Sequence, residues 1–269
     1  MSQDTGRALP VTWNRKADVV VVGTGYAGLA ATLVARDLGL SVLLLEKMAA
    51  PGGNSMISWG GANAVDPVRQ KRQGIEDSTD LHFKHTLEGG NHLNDPEKVR
   101  YMVDHALEDC VNYLERMGVI WPEKVVRGYG ALYERSHQNG TYTDRRGKTW
   151  TLGAANIRAM LEQLEKIGQP VLLRHKVTRI VREKPLEGRV LGVEVEVKGT
   201  PQYFRAGKGV ILASGGFAAD LEWVAKHDRR LAQTDTTITR EPPENVSNLQ
   251  RTSVPTPSTW IISRRSLSK

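Results

Sequence analysis

An uninterrupted apolar run that ends in a glycine turn constrains this chain more than any other feature. Ala17 to Val22 reads Ala-Asp-Val-Val-Val-Val, β-branched and without alternation, as a parallel strand buried on both faces requires. Gly23-Thr24-Gly25-Tyr26-Ala27-Gly28 follows at once, and Leu29 to Leu38 continues as an Ala/Leu-rich segment suited to a helix packed on a sheet. Each glycine of this GxGxxG has its own task. Gly23 permits the tight strand-to-helix turn, Gly25 lets the backbone approach a pyrophosphate, and Gly28 removes a side chain where helix meets strand. The helix N-terminus then offers N–H groups and a positive dipole end to phosphates.

Glycines at this spacing also occur in ordinary loops, so the surrounding order carries the argument. Gly39 ends the predicted helix, Ser41 to Leu45 is a second apolar strand, and Glu46 stands at its end, 18 residues after Gly28. That is where an acidic side chain accepts hydrogen bonds from a ribose. The alternative is a plain βαβ unit without a nucleotide. A carboxylate at this place repels a 2′-phosphate, which disfavours NADP and leaves NAD or FAD.

The following stretch separates those two. Pro51-Gly52-Gly53-Asn54-Ser55 and Ser58-Trp59-Gly60-Gly61-Ala62-Asn63 form a second glycine-rich segment. An extended FAD needs backbone donors along its length, whereas an NAD-dependent dehydrogenase has no evident need of such a segment here. Taken alone, Asn54 and Ser55 are equally ordinary turn formers. Together, the GxGxxG, Glu46-Lys47, Gly-Gly-Asn-Ser and Gly-Gly-Ala-Asn resemble the FAD-binding signature of the fumarate reductase/succinate dehydrogenase flavoprotein family. The resemblance is closest to its single-subunit flavocytochrome c and urocanate reductase branch. It implies FAD as cofactor, with Ala27 and its neighbours at the pyrophosphate, Glu46 at the adenosine ribose, Asn54, Ser55, Gly60 and Gly61 at the flavin-proximal portion, and Lys47 among the cofactor-binding residues. It also implies hydride transfer between flavin and an α,β-unsaturated, fumarate-like carboxylic acid. A non-catalytic FAD-binding fragment and an NAD-dependent dehydrogenase stand as the alternatives.

Composition bounds the rest. In 269 residues, 39% hydrophobic content suffices for a sizeable core, and the expectation is a soluble globular protein. No run approaches the roughly 20 apolar residues of a membrane helix, and Met1 to Pro10 is polar, so neither membrane nor export is expected and the chain reads as cytoplasmic. Cys110 is the only cysteine, which excludes an internal disulfide and any CxxC motif. The net charge of +7 is spread among acidic residues; clusters such as Arg69 to Arg72 and Arg145 to Lys148 read as solvated faces, and no nucleic-acid partner is expected. An anionic substrate or a phosphate-bearing cofactor suits the charge equally well.

Asn94-Asp95-Pro96-Glu97 is a helix start. Val99, Met102, Val103, Ala106, Cys110, Leu114 and Met117 then form one apolar stripe up to Gly118, with Cys110 a buried, inert thiol. His82 and His85, with His92 nearby, have a spacing that places two imidazoles together, but no carboxylate or cysteine set completes a metal site. Arg135-Ser136-His137 falls in a Gly- and Tyr-rich loop from Gly128 to Tyr142. In the family a similar Arg-x-His stretch lies near the flavin, against which stands a solvated loop; the following residues resemble a longer surface hairpin, so no catalytic residue is assigned.

A helix from Gly153 to Ile167 is followed by predicted strands at Val171 to Arg174, Val177 to Arg182, Leu191 to Val197 and Gln202 to Phe204. This helix and antiparallel β-meander match the family's FAD domain, where Val177 would meet the adenine through its backbone. Gly209 to Phe217 is an apolar strand running into Gly215-Gly216, a turn the family places beside FAD. The expected fold class is α/β: a Rossmann-like FAD-binding domain with a parallel central sheet and a β-meander, its capping domain largely missing. The expected boundaries are an N-terminal extension at 1–16, the FAD-binding domain at 17–237 and an aberrant or disordered tail at 238–269, where four of the 12 prolines gather. In the family, Thr-Thr is followed by an Asn-x-Pro-Gly-Ala-Thr-Gly type of stretch; here Thr236-Thr237 leads into Ile-Thr-Arg-Glu-Pro-Pro-Glu-Asn. A frameshift near codon 238 is the expectation, testable by resequencing. The electron donor is left open, as are the family's substrate-clamping arginines and histidine, which the resemblance puts mainly in parts this chain lacks.

Overall fold

The computed structural model describes residues 9–128, 131–184, 187–218 and 220–231. The expected tail, 238–269, lies outside the described residues. In chain order the elements are β1 (Arg15–Val22), α1 (Tyr26–Asp37), β2 (Val42–Leu45), α2 (Gly53–Met56), β3 (Ala62–Asn63), α3 (Pro67–Arg72), α4 (Thr79–Gly89) and α5 (Pro96–Ala106). A π-helical segment at Leu107–Asn112 leads into α6 (Tyr113–Arg116), β4 (Val126–Arg127), β5 (Glu134–His137), β6 (Thr141–Thr143), β7 (Thr149–Thr151) and α7 (Leu152–Lys166). Last come β8 (Val171–Leu172), β9 (His175–Lys184), β10 (Glu187–Val197), β11 (Thr200–Leu212), α8 (Leu221–His227) and a 3₁₀ turn at Arg229–Leu231. Residues through Asn54 and from Leu164 onward make one unit, and Ser55–Gln163 make the other.

The first unit is built on a six-stranded sheet of order β8-β2-β1-β11-β10-β9. The first four strands of that order are parallel to one another, while β11, β10 and β9 run antiparallel as a meander. Period-2 alternation explains why β1 carries no polar residue in its second half. Val20 and Val22 join Leu45, Val177, Ile180, Val193, Val195, Phe204 and Ala206 in one core on one face. Val19 and Val21, equally buried, point to the opposite face, and α1, whose Leu29 and Leu33 are buried, packs on the sheet. Helix α1 ends where expected, with Gly39 at φ +74 after Leu38.

Two strand expectations are corrected here. Gln202–Phe204 and Gly209–Leu212 are one strand, β11, whose first half pairs with β10 and whose second half pairs with β1. The apolar pattern breaks at Gly207-Lys208 because a bulge opposite Asp18 sits there, yet the ladder continues across it. Strand β1 also starts at Arg15, two residues into the expected N-terminal extension, and Asn14 exchanges hydrogen bonds with Tyr203 at 2.8 and 2.7 Å.

In the second unit, α3, α4 and α5 begin with Asp66, Ser78 and Asp95 accepting from backbone N–H groups of their first turns. The single helix expected after Asn94 is interrupted by the π-helical segment, a backbone change that side-chain periodicity cannot announce. Its stripe is correspondingly narrower. Val99, Val103, Val111 and Leu114 are buried, but Met102 is exposed and Cys110 is only partly buried, its thiol pushed up by burial and by Asp109. The predicted surface hairpin is present as β6 and β7, with Asp144 accepting from Arg146 N, Lys148 N and Trp150 Nε1. Gly60 (φ +64) is irreplaceable on steric grounds, since a Cβ there would lie 2.4 Å from Gly153 N.

Candidate functional site

In the first unit the carboxyl ends of β1, β2 and β11 meet. Gly23 N donates to Leu45 O at 2.8 Å, and Ala213 N donates to Val22 O at 2.8 Å, so the turns after all three strands are tied together. Strand β1 lies between β2, reached through α1, and β11, which comes from the far end of the chain. This is a topological switch point, where open α/β sheets bind their ligands.

The glycines of the first turn are required by close approach. At Gly23 (φ +102) a Cβ would fall 2.4 Å from Ala213 O, and at Gly28 one would fall 1.9 Å from Gly23 O. Gly25 is the N-cap of α1 in extended conformation and, being glycine, brings no capping side chain of its own. Ala27 is exposed in the first turn. A helix start whose N-cap is a glycine, reached through a turn with glycines at 23 and 25, fits the diphosphate of a dinucleotide. Gly215 (φ +88) has open space where a Cβ would stand, at the exposed end of β11.

Glu46 is buried at 6% exposure, at the end of β2. Its Oε2 accepts from Thr24 N at 3.2 Å and from the Thr24 hydroxyl, and its Oε1 accepts from Met48 N at 2.9 Å. Thr24 Oγ1 in turn accepts from Gly52 N at 3.0 Å. The acidic side chain therefore joins the first glycine turn to the second glycine stretch. Sequence reasoning passed over Thr24, because it stands at a variable position of the GxGxxG; a hydroxyl there, facing an acid at the end of the next strand, was the available signal. Lys47, by contrast, is exposed.

Val177 is brought to the same end of the sheet, since His175 N donates to Glu46 O at 2.9 Å. The Val177 side chain is in the core, and among the described residues β9 is an edge strand of the sheet. Asn54 is exposed at the start of α2.

Ser55, Gly60 and Gly61 belong to the second unit. Asn156 Nδ2 donates to Gly60 O at 2.9 Å, and a Cβ on Gly61 would come 3.1 Å from His137 O. Strand β3, which follows, pairs with β5 as Ala62↔His137 and Asn63↔Ser136. Arg135-Ser136-His137 is thus a buried strand, which corrects the expected solvated loop. A Gly- and Tyr-rich composition suggests a loop, but partners distant in sequence make it a sheet. Arg135 grips Asp77 through two hydrogen bonds of 2.6 Å and contacts His85 Nδ1 at 3.2 Å. Burial alone raises the Asp77 carboxyl, but Arg135 and Gln70 outweigh it and hold it below the usual range. His137 Nε2 lies 3.2 Å from Asp66 Oδ2, and Arg69, expected on a solvated face, bridges Asp66 and Glu115. These groups are engaged with one another, in keeping with a structural role.

His82 is buried and pushed down to about 4, first by burial and then by the charge of Arg135. Among the described residues no cluster of three or more His, Cys, Asp or Glu is placed to hold a metal ion, and no helix is long and apolar enough to cross a membrane.

Comparison with known proteins places this geometry. The chain is 35% identical over 217 residues to a fumarate reductase (cytochrome) of Shewanella frigidimarina, covering 80% of this chain and 36% of that protein. It is 30% identical over 240 residues to an acrylate reductase flavoprotein subunit of Shewanella woodyi, covering 86% and 44%. The chain thus spans less than half the length of these relatives. Among solved structures, the open conformation of a flavocytochrome c3 fumarate reductase superimposes with a TM-score of 0.74 at 29% identity, covering 84% of this chain and 38% of the other. A 3-ketosteroid-Δ4-(5α)-dehydrogenase from Rhodococcus jostii RHA1 shares the fold at TM-score 0.73 and 24% identity. The model of the FAD binding domain family matches residues 18–241, most of the chain, and the chain therefore belongs to that family of FAD-dependent oxidoreductases.

Proposed function

We propose that this chain is the FAD-binding part of a reductase of α,β-unsaturated carboxylic acids of the fumarate and acrylate type. The observation that carries the reading is the meeting of the β1, β2 and β11 ends around an α1 N-terminus capped by a glycine, with the buried carboxylate of Glu46 beside it. The names of the relatives, a fumarate reductase and an acrylate reductase flavoprotein, supply the substrate class.

In this reading the backbone of Gly23, Gly25, Ala27 and Gly28 holds the diphosphate, where the α1 dipole favours negative charge. Glu46 orients the adenosine ribose, and the backbone at Val177 meets the adenine. Asn54 and Gly215 serve the same cofactor. Lys47, being exposed, contributes charge rather than a fixed contact. Bound FAD supplies the ring that carries a hydride to or from the substrate. The chain's own part is to bind, orient and withhold water, and no residue here is given the proton-donor role.

The chain purified as it stands is expected to carry flavin absorbance in the visible range. Turnover of fumarate or acrylate with a reduced dye then distinguishes a competent reductase from a non-catalytic FAD-binding fragment. A chain that neither retains nor rebinds FAD removes the proposal altogether.

A further inference from the structure

Thr24 is 1% exposed and stands at a three-way junction of the first unit. Its hydroxyl donates to Glu46 Oε2 and accepts from Gly52 N at 3.0 Å, while its own N–H reaches the same Oε2 at 3.2 Å. A carboxylate offers about four acceptor sites. Oε2 accepts two hydrogen bonds from Thr24, and Oε1 accepts one, from Met48 N. Among the described residues, Oε1 therefore keeps room for one further donor.

From this arrangement we infer that Thr24 is a positioning residue: through Oγ1 it turns Glu46 so that Oε1 faces a ribose hydroxyl of the adenosine half of FAD. The inference rests on the FAD reading above and deepens it, by naming what aims the acid. The terminal torsion of Glu is broad and poorly restrained by its own rotamer preferences, so an outside contact must set it. The backbone N–H of residue 24 survives exchange for serine, valine or alanine, and a single bond leaves the carboxylate plane free to rotate. The hydroxyl adds the second bond to Oε2 and, by accepting from Gly52, holds the second glycine stretch against the first. Valine keeps the β-branched shape of threonine without either bond, and serine keeps both.

The test uses the 269-residue chain freed of flavin and titrated calorimetrically with FAD, ADP and 2′-deoxy-ADP, in wild type and in T24S, T24V and T24A. Wild type and T24S are expected to prefer ADP over 2′-deoxy-ADP by roughly tenfold, the worth of one charge-assisted hydrogen bond. T24V and T24A are expected to lose that preference to within about twofold, and E46Q is expected to lose it likewise. A threonine with only a structural role would lower the affinity for both nucleotides together and leave their ratio at the wild-type value; that result in T24V, or in T24A should T24V not fold, overturns the inference. A wild-type chain that binds FAD but prefers neither ADP nor its deoxy analogue removes the ribose contact of Glu46, and the inference with it. One that binds no FAD removes the underlying reading instead.

Discussion

A Cβ placed on Gly28 would lie 1.9 Å from the carbonyl oxygen of Gly23, and 3.4 Å from the Cβ of Ala213 on its other side. Helix α1 therefore leans on the turn that begins it, with no room for a methyl group. Gly28→Ala must move the helix or the turn, at about 1–3 kcal/mol. In a chain of this size that lowers the melting temperature by roughly 2–10 °C. Flavin retention on gel filtration should fall in parallel, because the displaced turn is the proposed diphosphate site. A G28A chain that melts within a degree of wild type would show that this contact is not a constraint.

His82 makes stability depend on pH. Its folded value, about 4, lies below its ordinary value of 6.5, chiefly because the ring is buried and secondarily because Arg135 is near. The unfolded chain thus binds the proton more readily. The contribution is fully present above about pH 6.5 and is lost as pH falls toward 4, with an upper bound of about 3 kcal/mol. Urea midpoints measured from pH 8 to pH 4.5 should decline over that window, and His82→Gln should flatten the decline. An H82Q curve parallel to wild type would assign the pH dependence to other groups.

Asp77 and Arg135 form a pair with almost no solvent contact, side chains 0% and 5% exposed. Removing one partner strands the other charge inside the unit. Arg135→Met or Asp77→Asn is each expected to cost about 3–5 kcal/mol, while the double replacement costs well below the sum. Additive losses in a double-mutant cycle would contradict direct coupling between the two.

Phe204 is fully buried where β11 leaves β10 and begins to pair with β1. Phe204→Ala should cost about 3–5 kcal/mol, and Phe204→Leu considerably less, since leucine fills most of the volume. Equal losses for the two variants, read from denaturant midpoints, would argue that ring packing and not volume matters there.

Much of the first unit was legible in sequence, because its signals are local. A buried parallel strand needs apolar residues on both faces, so Val19 to Val22 announced themselves, and the Gly23, Gly28 and Gly39 positions follow from backbone and steric limits. The same reasoning missed Thr24, whose partner Glu46 is 22 residues away. It also split β11, since a bulge disrupts the side-chain pattern without ending the ladder. Arg135-Ser136-His137 was hardest to read. Whether an Arg and a His among glycines and tyrosines stand in solvent or inside a sheet is decided by β3, β4, Asp66 and Asp77, all from other segments.

By itself, then, the sequence determined that a βαβ unit opens this chain, where its helix begins and ends, and that an acid terminates the second strand. Those are properties of short windows, governed by side-chain periodicity and by the conformations that glycine alone adopts easily. Only the tertiary structure decided how the hydrogen bonds to Glu46 are divided between its two oxygens, that β11 inserts beside β1, and that Arg135 and His137 are held by buried carboxylates. Each of those depends on contacts between distant segments, and no single window of sequence contains both partners.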